Sequence, residues 1–310
     1  MVGVGRVSTT KPVPAARRRG GRIVVPWAFL APAMLFYLVI VIYPSLAGAV
    51  YAFTDWRALS AHKEFVGLDN LQRLLGDMQA RTALKNSLLI ALFVPLFQNG
   101  LGLLLALGLN TGVKSRYILR TVFFAPAVIS PLIVSYLWQY IYNPFPDQGL
   151  NGLLGSIGLG FLRQDWLGDP SLSLGSIMAT VVWQSLGVSM VIFLAGLQGI
   201  SREYYEAAEL DGATVLSRFR HITLPLIAPA ITVNLVLSLI ASLKLFDQVF
   251  AMTNGGPGYA TETLSTVLFK QTFLFGRFGY GAMIALVLTA IVALFAFIQL
   301  RVLRSREVAM

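Results

Sequence analysis

The chain has no cysteine and only two histidines, His62 and His221, in 310 residues. The first absence excludes disulfides, thiolate metal sites and a cysteine nucleophile, and leaves the compartment open. The second leaves little to hold a metal. Neither histidine has a carboxylate or another histidine at ligand spacing, so both read as solvated surface residues. No glycine precedes any lysine, which excludes the phosphate-cradling GxxxxGK[ST] loop and assigns any ATP chemistry to another chain. The buried nucleophiles and carboxylate pairs that an intramembrane enzyme requires are not visible either.

Charge is also scarce, with 24 basic and 14 acidic residues. Its clustering leaves uncharged runs at 23–54, 86–113, 121–146, 170–201, 222–243 and 278–300. Each exceeds the roughly 18–20 residues needed to cross a bilayer core of about 30 Å. The mean hydropathy is +0.71, and stretches such as LGLLLALGL are apolar on every face, unlike the alternating strands of a β-barrel. A soluble bundle fails because the connections are too short to cover six such helices. The sequence therefore predicts an all-α integral membrane protein with six transmembrane helices at about 27–53, 86–109, 121–142, 172–199, 225–246 and 279–300.

Acids are missing from particular places. Residues 1–22 hold Arg6, Lys11, Arg17, Arg18, Arg19 and Arg22 with no acid, and 111–120 hold Lys114, Arg116 and Arg120 with none. The 55–85 and 143–170 loops balance or lean acidic, so the positive-inside rule puts both termini in the cytoplasm. A basic tail of 1–26, a six-helix membrane domain of 27–300 and a tail of 301–310 follow. In so apolar a chain the basic tail does not indicate nucleic-acid binding. The run after RRRGGR is too long for a signal-peptide core and reads as an uncleaved first span. The Gly- and Pro-rich 143–170 segment is expected to lie at the outer interface as a short helix and loop, with Tyr136, Trp138, Tyr140 and Tyr142 as an aromatic belt.

Between the fourth and fifth spans lies EYYEAAELDGATVLSRFRHITLP, residues 203–225, on the cytoplasmic side by this count. Ser201 suits an N-cap, with Glu203 favourable in the first turn. Gly212 suits a left-handed C-terminal cap, Thr214 a second N-cap, and Pro225 the first turn of the next span. Val215, Phe219 and Ile222 recur at helical spacing, and Arg218, Arg220 and His221 lie on the other faces. The product is a helix-turn-helix with an alanine patch that another protein can approach closely.

Glu206-Ala207-Ala208, three residues, Gly212, nine residues, then Ile222-Thr223-Leu224-Pro225 resembles the EAA loop of permease subunits of bacterial binding-protein-dependent ABC importers. YYEAAELDGA followed by FRHITLPL is similar to the carbohydrate-uptake branch. Thr253-Asn254-Gly255-Gly256-Pro257 resembles the loop of that branch's maltose-type first permease subunit. The resemblance implies a cytoplasmic coupling helix formed by Tyr204, Glu206, Ala207, Ala208, Asp211, Gly212, Ala213 and Phe219, docking on an ATPase. It implies further partners: a second permease subunit, two copies of the ATPase carrying ATP and Mg, an extracytoplasmic solute-binding protein, the lipid bilayer of the bacterial cytoplasmic membrane, and a sugar substrate. The chain itself would bind no cofactor. It also points to Trp183, Gln184 and Ser185 on the fourth span, and to Ser238 and Ser242 on the fifth, as a substrate pathway. Val181 and Leu245 stand where those relatives have polar contacts, implying a smaller or more widely shared site.

Lys244 and Asp247 extend that pathway, or pair with each other three residues apart on a helix. Two further functions stay open on the sequence. An ion-coupled secondary carrier lacks support from any clear internal repeat and leaves the EAA pattern unexplained. ABC import of a non-sugar solute such as a glycerol phosphate ester fits the same branch.

Overall fold

The computed structural model describes residues 29–60, 63–111 and 114–304. The basic tail of 1–26, His62 and residues 305–310 lie outside the described residues.

The residues fall into two units, 1–46 and 47–310. Helix α1, Ala31–Tyr51, begins in the first with Pro32 in its opening turn and a π-helical turn at Leu38–Ile42. Phe29, Phe36 and Tyr43 are exposed there, as suits a helix facing hydrocarbon.

The second unit continues with α2, Asp69–Gly76, and α3, Met78–Leu109. Helix α3 starts eight residues before the second uncharged run. The reason is Asp77, whose Oδ1 accepts from the backbone N–H of Gln79 at 2.9 Å and of Ala80 at 3.4 Å, capping the helix before the apolar stretch begins. The third span is not one helix. It divides into α4, Arg116–Val128, and α5, Pro131–Ile141, bent by 100°. Pro131 has no N–H and disfavours helical geometry at Ser130, whose ψ is 137°. A short helix α6, Gly149–Ser156, lies in the Gly- and Pro-rich segment as the sequence predicts. Helix α7, Ser173–Gln198, matches the fourth span closely.

The fifth span differs too. Helix α8, Arg202–Leu210, is followed by α9, Val215–Leu226, and then by α10, Ala228–Leu243, at 67° to α9. Pro225 and Pro229 flank the bend, and Pro229 lacks the N–H that would bond the carbonyl of Pro225. Helix α10 ends at Leu243, short of residue 246, and α11, Asp247–Thr253, follows a break. Helix α12, Leu264–Phe269, runs into a π-helical turn, Lys270–Leu274. Helix α13, Phe278–Arg304, covers the sixth run and continues through 301–304.

Among the described residues, four helices are long and apolar enough to cross a membrane, or up to six spans if each bent pair counts as one. Helix α7 is the hub, packed against α3, α4 and α10. Small residues set these approaches. A Cβ on Gly187 would lie 2.3 Å from the carbonyl oxygen of Phe123, one on Gly102 would lie 2.7 Å from Ser189 Cβ, and one on Gly196 would lie 2.9 Å from Ala230 Cβ. Between apolar helices in lipid, such close packing replaces the hydrophobic drive available in water.

Gly187→Val should therefore destabilise by about 3 kcal/mol, because the clash is with backbone and no rotamer relieves it. Gly175→Ala on the same helix, with nothing within 4 Å of its Cβ position, should be silent. Thermal unfolding in detergent, followed by size exclusion, compares the two; equal midpoints would contradict the packing assigned to Gly187.

Candidate functional site

The helix-turn-helix has the caps its sequence predicts. Ser201 Oγ accepts from the N–H of Glu203 at 3.4 Å, and Thr214 Oγ1 from the N–H of Ser217 at 3.3 Å. Gly212 has φ +74°. Around it the N–H of Gly212 donates to the carbonyl of Glu209 at 3.0 Å and the N–H of Ala213 to that of Ala208 at 2.9 Å, a complete Schellman turn. No atom lies within 4 Å of the Gly212 Cβ position, so the backbone conformation, and not space, demands glycine.

Two side-chain contacts lock α8 on α9. Arg218 donates to Glu209 across the turn at 2.5 Å, and the hydroxyls of Tyr205 and Thr223 meet at 3.0 Å. Phe219 and Ile222 are half-buried at their predicted spacing, whereas Val215, at the open end of α9, is exposed. Glu206, Ala207 and Asp211 are exposed beside half-buried Ala208 and Ala213. Leu210 is 91% exposed, Val215 and Leu216 74% each, and Tyr204 55%. An elbow this rigid, showing apolar side chains around a small-residue patch, is built like half of a protein interface.

The pathway residues divide. Trp183 is half-buried, edge-on to Trp138 at 5.5 Å, and lines an apolar cavity of about 460 Å³ with Phe93, Phe97, Met178 and Val182. Ser185 is half-buried. Gln184 is buried: its Nε2 donates to the carbonyl of Ile129 and its Oε1 accepts from Gln248 Nε2, both at 2.9 Å. It thus satisfies a carbonyl freed where the third span breaks. Ser238 and Ser242 are both buried. Ser238 Oγ accepts from Asn99 Nδ2 at 2.9 Å and donates to the carbonyl of Leu235 at 3.2 Å. Lys244 and Asp247 are exposed on either side of the break between α10 and α11. They form no ion pair, because the helical spacing that would bring them together is interrupted. Val181 and Leu245 belong to one buried cluster with Ile90, Val94 and Val249, so their apolar identity fills core.

The four expected belt aromatics split by position. Tyr136 and Tyr140 are exposed, while Trp138 and Tyr142 turn inward and stack at 4.9 Å. Sequence reasoning missed the polar network across α3, α7 and α10. There Gln98 Nε2 donates to Ser189 Oγ at 2.9 Å and Asn234 Nδ2 to the carbonyl of Ser189 at 3.1 Å. It also missed Glu262, 1% exposed, which accepts from Gln79 Nε2 at 2.9 Å, Thr266 Oγ1 at 2.5 Å and Lys270 Nζ at 2.6 Å beneath the 253–257 loop. Amides isolated in apolar runs, and an acid eight residues before a lysine, were the available signals. Among the described residues no three His, Asp or Glu side chains gather as a metal site.

Residues 98–307 match the family model described as the binding-protein-dependent transport system inner membrane component. The chain is 32% identical over 282 residues to the multiple sugar-binding transport system permease protein MsmF of Streptococcus mutans, covering 91% of this chain and 96% of that protein. It is 34% identical over 286 residues to the lactose transport system permease protein LacF of Rhizobium radiobacter, covering 91% and 94%. Among solved structures it is similar to a chain of a bacterial ABC transporter involved in the import of the acidic polysaccharide alginate. There the TM-score is 0.79 at 26% identity, with 90% of this chain and 94% of that one covered. It is also similar to a chain of a bacterial alginate ABC transporter in complex with an alginate pentasaccharide-bound periplasmic protein, with a TM-score of 0.77 at 26% identity over 88% of this chain and 91% of that one. The EAA-like pattern, the helical architecture and these matches agree: the chain belongs to the inner-membrane permease family of binding-protein-dependent ABC importers.

Proposed function

We propose that the chain is one of two pore-forming permease subunits of an ATP-driven importer that moves a sugar or oligosaccharide delivered by an extracytoplasmic solute-binding protein. The observation that carries this reading is the elbow of α8 and α9, a rigid exposed surface on the EAA pattern with apolar side chains ready for a partner. The names of the relatives MsmF and LacF support a saccharide as cargo. In this reading the chain makes six spans, the bent pairs counting as one each, with both termini and the elbow in the cytoplasm. Two copies of an ATPase bind ATP and Mg below it, and a second permease subunit completes the pore.

The elbow carries ATPase closure into the spans because α9 leads into α10 without a flexible linker. Helix α10 ends at exposed Lys244. A charge at mid-membrane costs about 2.5–3.5 kcal/mol on insertion scales, so Lys244 and Asp247, unpaired at a helix break, belong in a watered path and not against lipid. Trp183 and Ser185 border the same path. Gln184, Ser238 and Ser242 support it from behind in the conformation described, and face it only if α10 turns.

Reconstitution tests the whole reading. The purified chain alone should neither hydrolyse ATP nor move solute, whereas the complex with its second permease, ATPase and binding protein should show substrate-stimulated hydrolysis. Uptake by this chain alone on a proton or sodium gradient would favour a secondary carrier.

Gly212→Val should misdirect α9 at about 1–3 kcal/mol, Gly212→Asn should be milder, and Glu206→Lys should reverse an exposed charge at the docking face. Pull-down of the ATPase should weaken for the valine and lysine variants while the chain still pairs with its partner permease. Undiminished pull-down of both would remove the coupling role.

Single cysteines introduced into this cysteine-free chain read the path. A water-soluble thiol reagent should label positions 244 and 247 readily and position 238 only in some nucleotide states. Labelling of none, with no protection by substrate, would move the path elsewhere.

A further inference from the structure

At the other end of the second unit, away from the elbow in sequence and function, a polar pocket of about 320 Å³ opens between the 55–57 segment, α2 and the start of α13. Its frame is rigid. The N–H of Gly279 donates to the carbonyl of Trp56 at 2.9 Å and the N–H of Ala58 to that of Gly276 at 2.8 Å. Buried Asn70 donates through Nδ2 to the carbonyls of Ala52 and Thr54, both at 2.9 Å, which anchors α2. A Cβ on Gly279 would fall 2.0 Å from the carbonyl oxygen of Thr54, so the two strands of the frame touch backbone to backbone.

Three guanidiniums line this frame: Arg57, Arg73 and Arg277. Arg73 is held 4.7 Å over the ring of Tyr280, whose hydroxyl donates to Asp77 Oδ2 at 3.0 Å. Arg277 Nη1 donates to Oε1 of buried Gln271 at 3.2 Å. The side chain of Arg57 has no partner among the described residues. Two carboxylates share the lining, Asp55, occupied at Oδ1 by the N–H of Glu64, and Asp69 in the first turn of α2. None of the five forms an ion pair among the described residues. Three positive and two negative side chains leave the lining one negative charge short of neutrality, with Arg73 and Arg277 held in place and the exposed Arg57 side chain able to swing onto a ligand. Around it Leu59, Phe65, Leu68 and Phe275 are exposed.

We infer that this pocket receives a carboxylate side chain of the solute-binding protein on the outer face of the membrane, a contact that rests on the importer reading above. Oriented guanidiniums bind a carboxylate through paired N–H groups, and a pre-set cavity loses little entropy on filling. The surrounding apolar side chains supply the exposed contact area that a charged pocket lacks. Apart from Tyr280, the lining residues lie outside the uncharged run of α13, and their mixed charge suits a protein surface better than a lipid headgroup layer.

The test uses the complete reconstituted complex in nanodiscs of phosphatidylcholine, with and without phosphatidylglycerol. ATP hydrolysis is titrated with the solute-binding protein at low and high salt. Arg57→Gln and the Arg57→Gln/Arg277→Gln double variant are compared with wild type. The half-maximal concentration of binding protein should rise several-fold for the single variant and about tenfold for the double, in both lipids, with a weaker salt dependence than wild type. Arg57→Gln guards against misfolding, because that side chain supports nothing else. Unchanged half-maximal concentrations would overturn the pocket while leaving the importer reading standing. A shift seen only with phosphatidylglycerol would overturn it in favour of a lipid headgroup. Absence of stimulation in wild type would remove the importer reading, and the pocket's partner with it.

Discussion

Inside hydrocarbon every backbone N–H and C=O needs a partner within the protein, and this chain repeatedly breaks its helices where that rule is strictest. It meets the rule with side-chain amides. Gln184 donates to the carbonyl of Ile129 at the bend of the third span, and Gln139 Nε2 donates to the carbonyls of Ala251 and Met252 at the end of α11. Asn86 Nδ2 donates to the carbonyls of Ala260 and Glu262, and Asn70 to those of Ala52 and Thr54. Each amide sits on one element and satisfies another at a chain reversal, and Asn70 does the same at the polar pocket. Removing one would leave orphaned carbonyls as well as a lost contact, at roughly 1–3 kcal/mol per buried group.

These amides let α4, α5, α10 and α11 turn within the apolar region, and Lys244 and Asp247, which we propose border the path, sit at one of these turns. A straight fifth span would put Lys244 and Asp247 one turn apart on a lipid-length helix, paired and inert. The break separates them and opens both. At the other end of the same stretch, the Schellman turn at Gly212 and the Arg218–Glu209 contact make a stiff elbow that joins α10 through the 67° bend.

Much of this was legible. Apolar run length is a local property, so the membrane class and the fourth and sixth runs followed from counting residues without charge. Caps are local too: Ser201, Thr214 and Gly212 act on N–H and C=O groups within five residues, and the structure has them as read. The start of α3 does not follow from apolarity, because the helix begins just after the Asp77 cap, eight residues before the uncharged run. Val215, Phe219 and Ile222 share helical spacing, but spacing describes a helix face and not whether anything covers it, and Val215 at the open end is exposed.

The sequence by itself therefore determined what depends on near neighbours in the chain: apolar length, capping, and the EAA spacing that gives family membership. Tertiary structure alone decided which polar side chains are structural. Ser238 is held by Asn99, 139 residues away, Gln184 by Gln248, 64 away, and Glu262 by Gln79, 183 away. A buried hydrogen bond is defined by direction and distance to a partner, and no pattern in one stretch of chain encodes where a distant stretch will lie.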